Sequence, residues 1–420
     1  MIYESTLNHN SAKHNKIAHQ IEDNLNIRTL EKNKFGEVGT PQILIDELLD
    51  HLPKNVWTNS SLTWLDPAAG MGNFTMLIYE RLFAGLAKEF PNTKTRHNHI
   101  VEKMLYMVEI NKSSTKKLFE IFGKDANIRL GDFLQSTSRD KDLLQQQQYD
   151  IIIGNPPYQS TKKHKYVGSV GGKTLWDKFI IQSLSQLKPD GFLAFITPNS
   201  WRRPESKLYE IMTKDNQLLF LHIYGKKDGL EIFKAQTRFD CYVLRHTNTP
   251  EYTTLLIDEK GIVHQDFNIS SWPFLPNYNF ANIKKLLAKP GEPRQNIIYD
   301  SSMYDARKLT KNKTKKFKYP IVHTITKKGL GLRYSQKKVP DNRPKVLLNF
   351  NEQQYPYNDY DGKYGMSQLT FGLPIKTKTE GDRIIDMVNT EEFKEIIKAT
   401  KWSAFQTDYR MFKQFKPFKI

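Results

Sequence analysis

The stretch SLTWLDPAAGMGNFTMLI, residues 61–78, decides the fold. Its first six residues have the apolar character of a short buried strand, and Gly70 and Gly72 allow a tight turn in which the backbone can approach a ligand. Apolar residues then recur at helical spacing from Phe74 to Leu86. A strand, a glycine turn and a helix in this order predict one unit of an open parallel sheet that is covered by helices on both faces.

The same alternation continues on both sides of this stretch. Upstream, Thr40 and Pro41 form a predicted N-cap and first-turn pair before an amphipathic helix. Downstream, MLYMVE, NIRL, YDIIIG and GFLAFITP are strand candidates with helical segments between them. LLFLHIY and TRFDCYVLRH predict an antiparallel pair at the sheet edge, and TTLLIDEKGIVHQDFN predicts a hairpin that turns at Gly261. The fold class is therefore α/β, with a doubly wound, mostly parallel sheet and an antiparallel edge hairpin.

Charge is distributed unevenly along the 420 residues. The chain has a formal net charge of +18, and residues 301–420, with 25 basic and 12 acidic side chains, carry +13 of it. A basic C-terminal third suggests that one domain holds an anionic polymer or a membrane surface, with nucleic acid as the first expectation. The length also exceeds that of one ordinary core. We therefore predict a polar arm over residues 1–34, a first domain over 35–255, and a smaller, basic, mixed α/β domain over 256–420.

Cysteine content and hydropathy exclude several classes of protein. Cys241 is the only cysteine, which excludes an intrachain disulfide framework and a zinc site built on several thiolates, so we expect it in the core. No apolar run approaches 18 residues and the first 20 residues lack an apolar signal region, so we expect a soluble, cytoplasmic protein without a membrane partner. The segment GSVGGKT, residues 168–174, is one residue short of a phosphate-binding loop and follows no strand.

Acidic residues stand at the ends of three predicted strands, where open parallel sheets bind their ligands. Asp66 ends the first strand, and Glu109 ends the next and can accept hydrogen bonds from both hydroxyls of a ribose. Asp132 can accept from an exocyclic amino group, and the neighbouring Phe133 can stack on a purine. The 43 residues from Asp66 to Glu109 exceed the roughly 20 of a dinucleotide-binding unit. The pattern predicts an adenosine pocket without a pyrophosphate clamp.

The fourth strand leads into Asn155-Pro156-Pro157-Tyr158. An amide oxygen of Asn155 and the backbone carbonyl of Pro156, aimed at the two protons of an amino group, would draw its nitrogen toward tetrahedral geometry and free the lone pair. The ordered motifs FGEVGTP, DPAAGMGNF, Glu109, GDF, GNPPY and GFLAFITPNSW, followed by a basic region, resemble those of the amino-group DNA methyltransferases, specifically the adenine-N6 subgroup with a C-terminal target recognition domain. The matching motifs span about residues 35–245.

The resemblance implies a Rossmann-like methyltransferase sheet of seven strands, S-adenosylmethionine as cofactor and no metal. It places Thr40 and Pro41 beside the methionine carboxylate of the cofactor, Glu109 at the ribose, and Asp132 with Phe133 at the adenine. Around the sulfonium and amino end of the cofactor it places Asp66, Gly70 and Phe74. Ala68 and Gly72 of the same turn are further predicted cofactor-binding residues.

The resemblance also implies roles toward DNA. The target adenine is flipped out of the duplex, Tyr158 stacks on it, and Phe239 holds its opposite face. In the basic domain, Lys315 and Lys316 are predicted phosphate contacts, and Arg333 is a predicted base reader. The implied partner is double-stranded DNA, and a separate cognate restriction endonuclease is a possible second partner. The expected oligomeric state is a monomer or weak dimer.

The sequence is also compatible with several other functions. Release-factor glutamine methyltransferases also carry NPPY, and cytosine-N4 methyltransferases use the same geometry. A non-catalytic DNA-binding protein that retains the fold, and RNA as substrate, are further alternatives. Cytosine-C5 methylation is excluded, because it needs a thiolate nucleophile and Cys241 follows Asp240 in an apolar strand.

Overall fold

The computed structural model describes residues 39–135, 147–159, 174–300, 308–338, 342–351, 353–402 and 407–418. The predicted arm over residues 1–34 and residues 168–173 of the glycine-rich segment lie outside the described residues. The chain divides into two compact units: Met1–Pro198 with Glu210–Ile257 and Val263–Asn268, and Asn199–Tyr209 with Asp258–Ile262 and Ile269–Ile420. The units are thus not separated at a single point, whereas the sequence predicted one boundary at residue 255.

One large sheet organises the first unit. Its strands are β1 (Trp64–Asp66), β2 (Leu105–Glu109), β3 (Asn127–Leu130), β4 (Tyr149–Gly154), β5 (Leu187–Pro198), β6 (Gln217–Tyr224), β7 (Phe239–Arg245), β8 (Thr254–Ile257) and β9 (Val263–Phe267). They lie in the order β3-β2-β1-β4-β5-β7-β6-β8-β9. The strands from β3 to β5 pair in parallel, β7 pairs antiparallel with both β5 and β6, and β8 pairs in parallel with β6. The α/β class and the mostly parallel sheet are confirmed.

Two expectations about the sheet are wrong. Within the described ranges it has nine strands rather than seven, because the predicted hairpin that turns at Gly261 is present as β8 and β9 and extends the sheet beyond β6. The antiparallel pair of β6 and β7 is present, but neither strand forms the edge. Thr254 on β8 reinforces this extension, because its hydroxyl donates to the backbone carbonyl of Leu218 at 2.7 Å.

Ten α-helices are described, and they are divided between the two units. They are α1 (Gln42–Asp50), α2 (Asn73–Gly85), α3 (Thr93–His99), α4 (Lys112–Phe122), α5 (Trp176–Gln186), α6 (Lys207–Thr213), α7 (Lys226–Phe233), α8 (Phe280–Leu286), α9 (Lys378–Asn389) and α10 (Glu391–Ala399). Apolar residues of α1 and α2 pack with β1, β4, β5, β6 and β7 in one hydrophobic core. Cys241 on β7 belongs to this core and is fully buried, as predicted.

The second unit contains two smaller sheets. Its strands are β10 (Leu309–Thr310), β11 (Tyr319–Thr326), β12 (Gly329–Ser335), β13 (Lys345–Asn349), β14 (Tyr357–Asp359), β15 (Gly365–Met366) and β16 (Thr370–Pro374). One sheet has the order β10-β12-β11-β15 and the other β14-β13-β16. A fully buried ion pair joins Lys345 Nζ to Asp359 Oδ2 at 2.8 Å, and the ammonium also donates to the carbonyl oxygens of Arg343 and Tyr364. The charge is therefore compensated within this unit.

Buried Arg202 fixes Asn199–Tyr209 within the second unit. Its guanidinium donates to the carbonyl oxygens of Leu275 at 3.0 Å and Pro276 at 3.1 Å, and to the side-chain oxygen of Asn277 at 2.8 Å. Because a buried guanidinium needs acceptors for its protons, this segment folds with residues that lie more than 70 positions later in the chain.

Candidate functional site

The candidate site lies at the carboxyl ends of β1, β2, β3 and β4, which we call the crevice. Asp66 and Glu109 are the last residues of β1 and β2, Asp132 follows β3 by two residues, and Asn155 follows β4 directly. A Cβ placed on Gly154 would lie 3.0 Å from Asp66 Oδ1, so the ends of β1 and β4 are in close contact. The parallel pairing of these strands thus brings together side chains that are up to 89 residues apart in the sequence.

The turn between β1 and α2, residues 67–72, requires its glycines. Gly70 has φ of +54° and Gly72 has φ of +86°, both in the left-handed region that side chains rarely adopt. A Cβ on Gly72 would also lie 2.8 Å from Leu118 Cδ2 on α4, which is closer than packing allows. Ala68, in the same turn, is half-buried. The turn therefore presents its backbone to the crevice at close range.

Glu109 joins the end of β2 to this turn. Its Oε2 accepts from the backbone N–H of Gly70 at 2.7 Å, and its Oε1 accepts from the backbone N–H of Asn111 at 2.6 Å. The side chain is only 4% exposed. A carboxylate oxygen has two lone pairs and can accept more than one hydrogen bond.

Asp66 is also buried, at 4% exposure. Its pKa is raised from 3.8 to about 7, chiefly by burial and further by the charge of Glu109, while the hydrogen bond from Ala68 N–H opposes the shift. The distance from Ala68 N to Asp66 Oδ1 is 3.2 Å. The Asp66 carboxyl therefore changes its charge near neutral pH, which is unusual for an aspartate.

Beyond the ends of β2 and β3, the crevice combines an acid with apolar side chains. Asp132 is half-buried, and Phe133 is buried with its ring centroid 5.3 Å from that of Phe179. Ile110, directly after Glu109, is 50% exposed, which is high for an isoleucine. Ile110 was not among the site residues predicted from the sequence. Its position after an acid at a strand end was the only available signal.

The Asn155 amide is held from one side only. Its Nδ2 donates to Thr40 Oγ1 at 3.1 Å, while its Oδ1 is buried and has no hydrogen-bond partner among the described residues. Pro156 is buried and Pro157 is exposed. A buried acceptor without a partner costs roughly 1–3 kcal/mol, and a donor on a bound ligand would remove that cost.

Tyr158 has a half-buried side chain whose hydroxyl oxygen is buried, with no hydrogen-bond partner in the described part of the chain. Burial raises its pKa well above the usual value, and Cys241, Asp240 and Tyr242 raise it further. The phenol therefore stays neutral, and Tyr158 can contribute ring contact and a hydroxyl donor but no base.

Thr40 does not form the predicted N-cap of the first helix. The N-cap of α1 is Pro41, with φ −62° and ψ 146°, and the helix begins at Gln42. Thr40 is 6% exposed, and its hydroxyl accepts from Asn155, 115 residues away, instead of capping the helix. Asn73 Nδ2 donates to the Thr40 carbonyl oxygen at 3.3 Å. Thr40 thus lies between the glycine turn and the NPPY segment.

The predicted role of Phe239 in holding a base is wrong. The side chain is 0% exposed and belongs to the core formed with α1 and α2. Its ring stacks on Tyr224 with centroids 4.6 Å apart, and the ring of Phe233 packs against it at 4.8 Å. A base therefore has no room beside it. Phe74, at 5% exposure, belongs to the same core.

The predicted DNA contacts lie in the second unit, outside the crevice-forming unit. Lys315 and Lys316 are exposed in the segment between β10 and β11. Arg333 lies on β12, half-buried and opposite Ile321 of β11. Burial lowers the pKa of His323, and the neighbouring charge of Arg333 lowers it further.

The described residues contain neither a cluster of metal ligands nor a membrane-spanning helix. No three His, Cys, Asp or Glu side chains are grouped as metal ligands would be. Among the described helices, none has the length and apolar character needed to cross a membrane.

Comparison with known proteins agrees with this architecture. The fold is an α/β unit with an open, mostly parallel sheet and a crevice at the carboxyl ends of its strands. The sequence model of the Eco57I restriction-modification methylase family matches residues 60–230, which include β1 to β6 and the NPPY segment.

Two curated relatives are similar to part of the chain. The type II methyltransferase M.VspI of Vibrio sp. is 29% identical over 205 residues, which cover 46% of this chain and 45% of that protein. An uncharacterized adenine-specific methylase of Mycoplasma pneumoniae is 25% identical over 237 residues, covering 40% of this chain and 55% of the relative. The chain thus spans about half the length of the curated relatives it matches.

Solved structures resemble a larger share of the chain. The DrdV–DNA complex matches with a TM-score of 0.57 at 11% identity, over 92% of this chain and 56% of that one. The ATP-dependent type ISP restriction-modification enzyme LlaBIII, bound to DNA, matches with a TM-score of 0.52 at 12% identity, over 84% of this chain and 35% of that one. At these identities the similarity concerns the fold.

Proposed function

We propose that this protein is a DNA methyltransferase that transfers a methyl group from S-adenosylmethionine to the N6 amino group of a flipped-out adenine. One observation carries the proposal: the buried Oδ1 of Asn155 has no partner in the described chain and stands at the end of β4, beside the acidic ends of β1 and β2. The similarity of residues 60–230 to restriction-modification methylases supports the same class of reaction.

The residues of the crevice fit the cofactor. The glycine turn offers backbone without side chains, and the acids at the strand ends suit a ligand with cationic groups and a ribose. Glu109 would hold the ribose, Asp132 and Phe133 the adenine, and Asp66 the cationic end. Bound S-adenosylmethionine supplies an electrophilic methyl group on its sulfonium. The site in this chain needs only to exclude water and to hold the amino group in line with that methyl.

The chain's own residues would activate the adenine. Asn155 Oδ1 and the Pro156 carbonyl would accept hydrogen bonds from the two N6–H groups and thereby free the nitrogen lone pair. Tyr158 would stack on the extruded base. The prolines restrict the backbone that presents these groups, which reduces the cost of positioning them.

The second unit would hold double-stranded DNA through its basic surface, with Lys315 and Lys316 on phosphates and Arg333 on a base edge. These contacts would offset the cost of extruding the adenine, roughly a few kcal/mol. A separate restriction endonuclease with the same recognition sequence would be the natural partner of such an enzyme.

Methylation by the full chain with radiolabelled S-adenosylmethionine tests the proposal. Mixed genomic DNA from a methylation-deficient host is the substrate, and its nucleosides are separated after digestion. We expect label in N6-methyladenosine and, for Asn155→Ala, a loss of at least about 100-fold with cofactor binding kept within about threefold. Label in N4-methylcytosine, in RNA or only in added protein would assign the alternative substrates, and no label anywhere would refute the proposal.

A further inference from the structure

We propose that Thr40 is the positioning residue for the Asn155 amide. Its hydroxyl is the acceptor that the amide needs whenever Oδ1 faces the substrate amino group. This inference rests on the proposed function and assigns within it a role that the NPPY segment alone does not contain.

The argument begins with what the productive orientation demands. A primary amide has an acceptor end and a donor end. Only Oδ1 can accept a proton from the substrate amino group, so Nδ2 must then point away from it, into the protein. Thr40 Oγ1 lies on this side of the amide, 3.1 Å from Asn155 Nδ2. Without it, a buried N–H would have no acceptor in the substrate-bound state.

The geometry also explains why Thr40 can serve this purpose. Its backbone carbonyl is held by Asn73 Nδ2 at 3.3 Å, and Pro41 follows it with φ fixed near −62°. The residue is 6% exposed, so water does not readily replace its hydroxyl. An amide N–H that donates to a neighbour also polarises its own oxygen toward stronger acceptance, so the same hydrogen bond favours the chemical step.

Substitution of Thr40 by valine removes the hydroxyl and keeps the shape. A buried donor left without an acceptor is costly, so kcat at saturating cofactor should fall about 10- to 100-fold. Thr40→Ser restores the hydroxyl and should stay within about threefold of wild type. Thr254→Val is the matched control, because it also removes a buried threonine hydroxyl from the first unit, on β8. It should leave kcat unchanged.

The experiment measures single-turnover methyl transfer by the full-length variants and, separately, equilibrium binding of S-adenosylmethionine. Thermal unfolding of each variant verifies that it is folded. Three results together would support the positioning role. Thr40→Val transfers methyl groups slowly but binds the cofactor within threefold of wild type, and Thr40→Ser transfers them rapidly. The double variant Thr40→Val/Asn155→Ala is no slower than Asn155→Ala alone.

Three results would overturn it: wild-type kcat in Thr40→Val, equal losses in the serine and valine variants, or cofactor affinity falling by the same factor as the rate. The third would mean that Thr40 acts through the cofactor. If instead the wild-type protein transfers no methyl group to any DNA, the proposed function itself fails. The two failures are therefore distinguishable.

Discussion

The buried carboxyl of Asp66 should make cofactor affinity depend on pH within the physiological range. Its pKa of about 7 means that the carboxyl is largely ionised at pH 8 and largely protonated at pH 6. S-adenosylmethionine carries a sulfonium cation and an ammonium group, so it should bind the ionised form of Asp66. Protons therefore compete with the cofactor.

The size of the effect follows from the ionised fraction. With a pKa of 7, about 90% of the protein is ionised at pH 8 and about 10% at pH 6, so the apparent dissociation constant should rise about tenfold between them. That factor corresponds to about 1.4 kcal/mol.

Calorimetric titration of the full chain with S-adenosylmethionine from pH 5.5 to 8.5 measures this dependence. Asp66→Asn is the control: it should bind weakly at every pH, without the tenfold change. Titration of the cofactor itself affects binding to wild type and to Asp66→Asn equally. It therefore cancels in the ratio of their dissociation constants. A wild-type affinity that changes less than twofold between pH 6 and 8, or a ratio to Asp66→Asn that is constant, would refute the reasoning.

The ligand-free protein should show the opposite trend in stability. The folded-state pKa of Asp66 lies above its unfolded value of 3.8, so its stabilising contribution is complete below about pH 3.8 and is lost as the pH rises through about 7. Asp66→Asn should therefore gain in Tm relative to wild type between pH 5 and pH 8, by roughly a few degrees. A Tm difference that is the same at both values would contradict this.

Three other substitutions have defined outcomes. Phe239→Ala should lower the free energy of unfolding by about 3–5 kcal/mol in urea titrations, because it empties a core position; a loss of DNA binding without a loss of stability would contradict this. Gly72→Ala should cost about 1–3 kcal/mol in the same assay, because the new Cβ meets Leu118 and φ is positive. Replacing Lys315 and Lys316 by glutamine should reduce the slope of log DNA affinity against log salt by up to about 1.8, whereas Lys116→Gln on α4 should leave it unchanged.

Sequence patterns predicted the first seven strands and the acids at their ends because both depend on local signals. β4 and β7 are almost continuously apolar, and Asp66 and Glu109 stand at the points where such runs stop. The rule that ligands bind at the carboxyl ends of parallel strands then placed these side chains together. No long-range information was needed.

The errors have a common physical origin. Six of the seven residues of β7 are buried, so the strand has no alternation from which to decide that Phe239 faces the core. Thr40 has the sequence of an N-cap, but its hydroxyl is used 115 residues away. Whether a short hairpin such as β8 and β9 joins an existing sheet depends on contacts such as that of Thr254 with Leu218, which local patterns do not contain.

The buried guanidinium of Arg202 has a consequence for protein engineering. Exchange of recognition modules between related enzymes is usually planned as one cut and one graft. Here a chimera joined at residue 255 would keep Arg202 from one parent while Leu275, Pro276 and Asn277, its acceptors, came from the other. The two carbonyl acceptors depend on how the grafted segment packs, and the Asn277 oxygen depends on the residue itself. A mismatch that left the guanidinium without acceptors would cost roughly 3–5 kcal/mol. A viable exchange has to transplant Asn199–Tyr209 and Asp258–Ile262 along with the C-terminal segment, as three coordinated grafts.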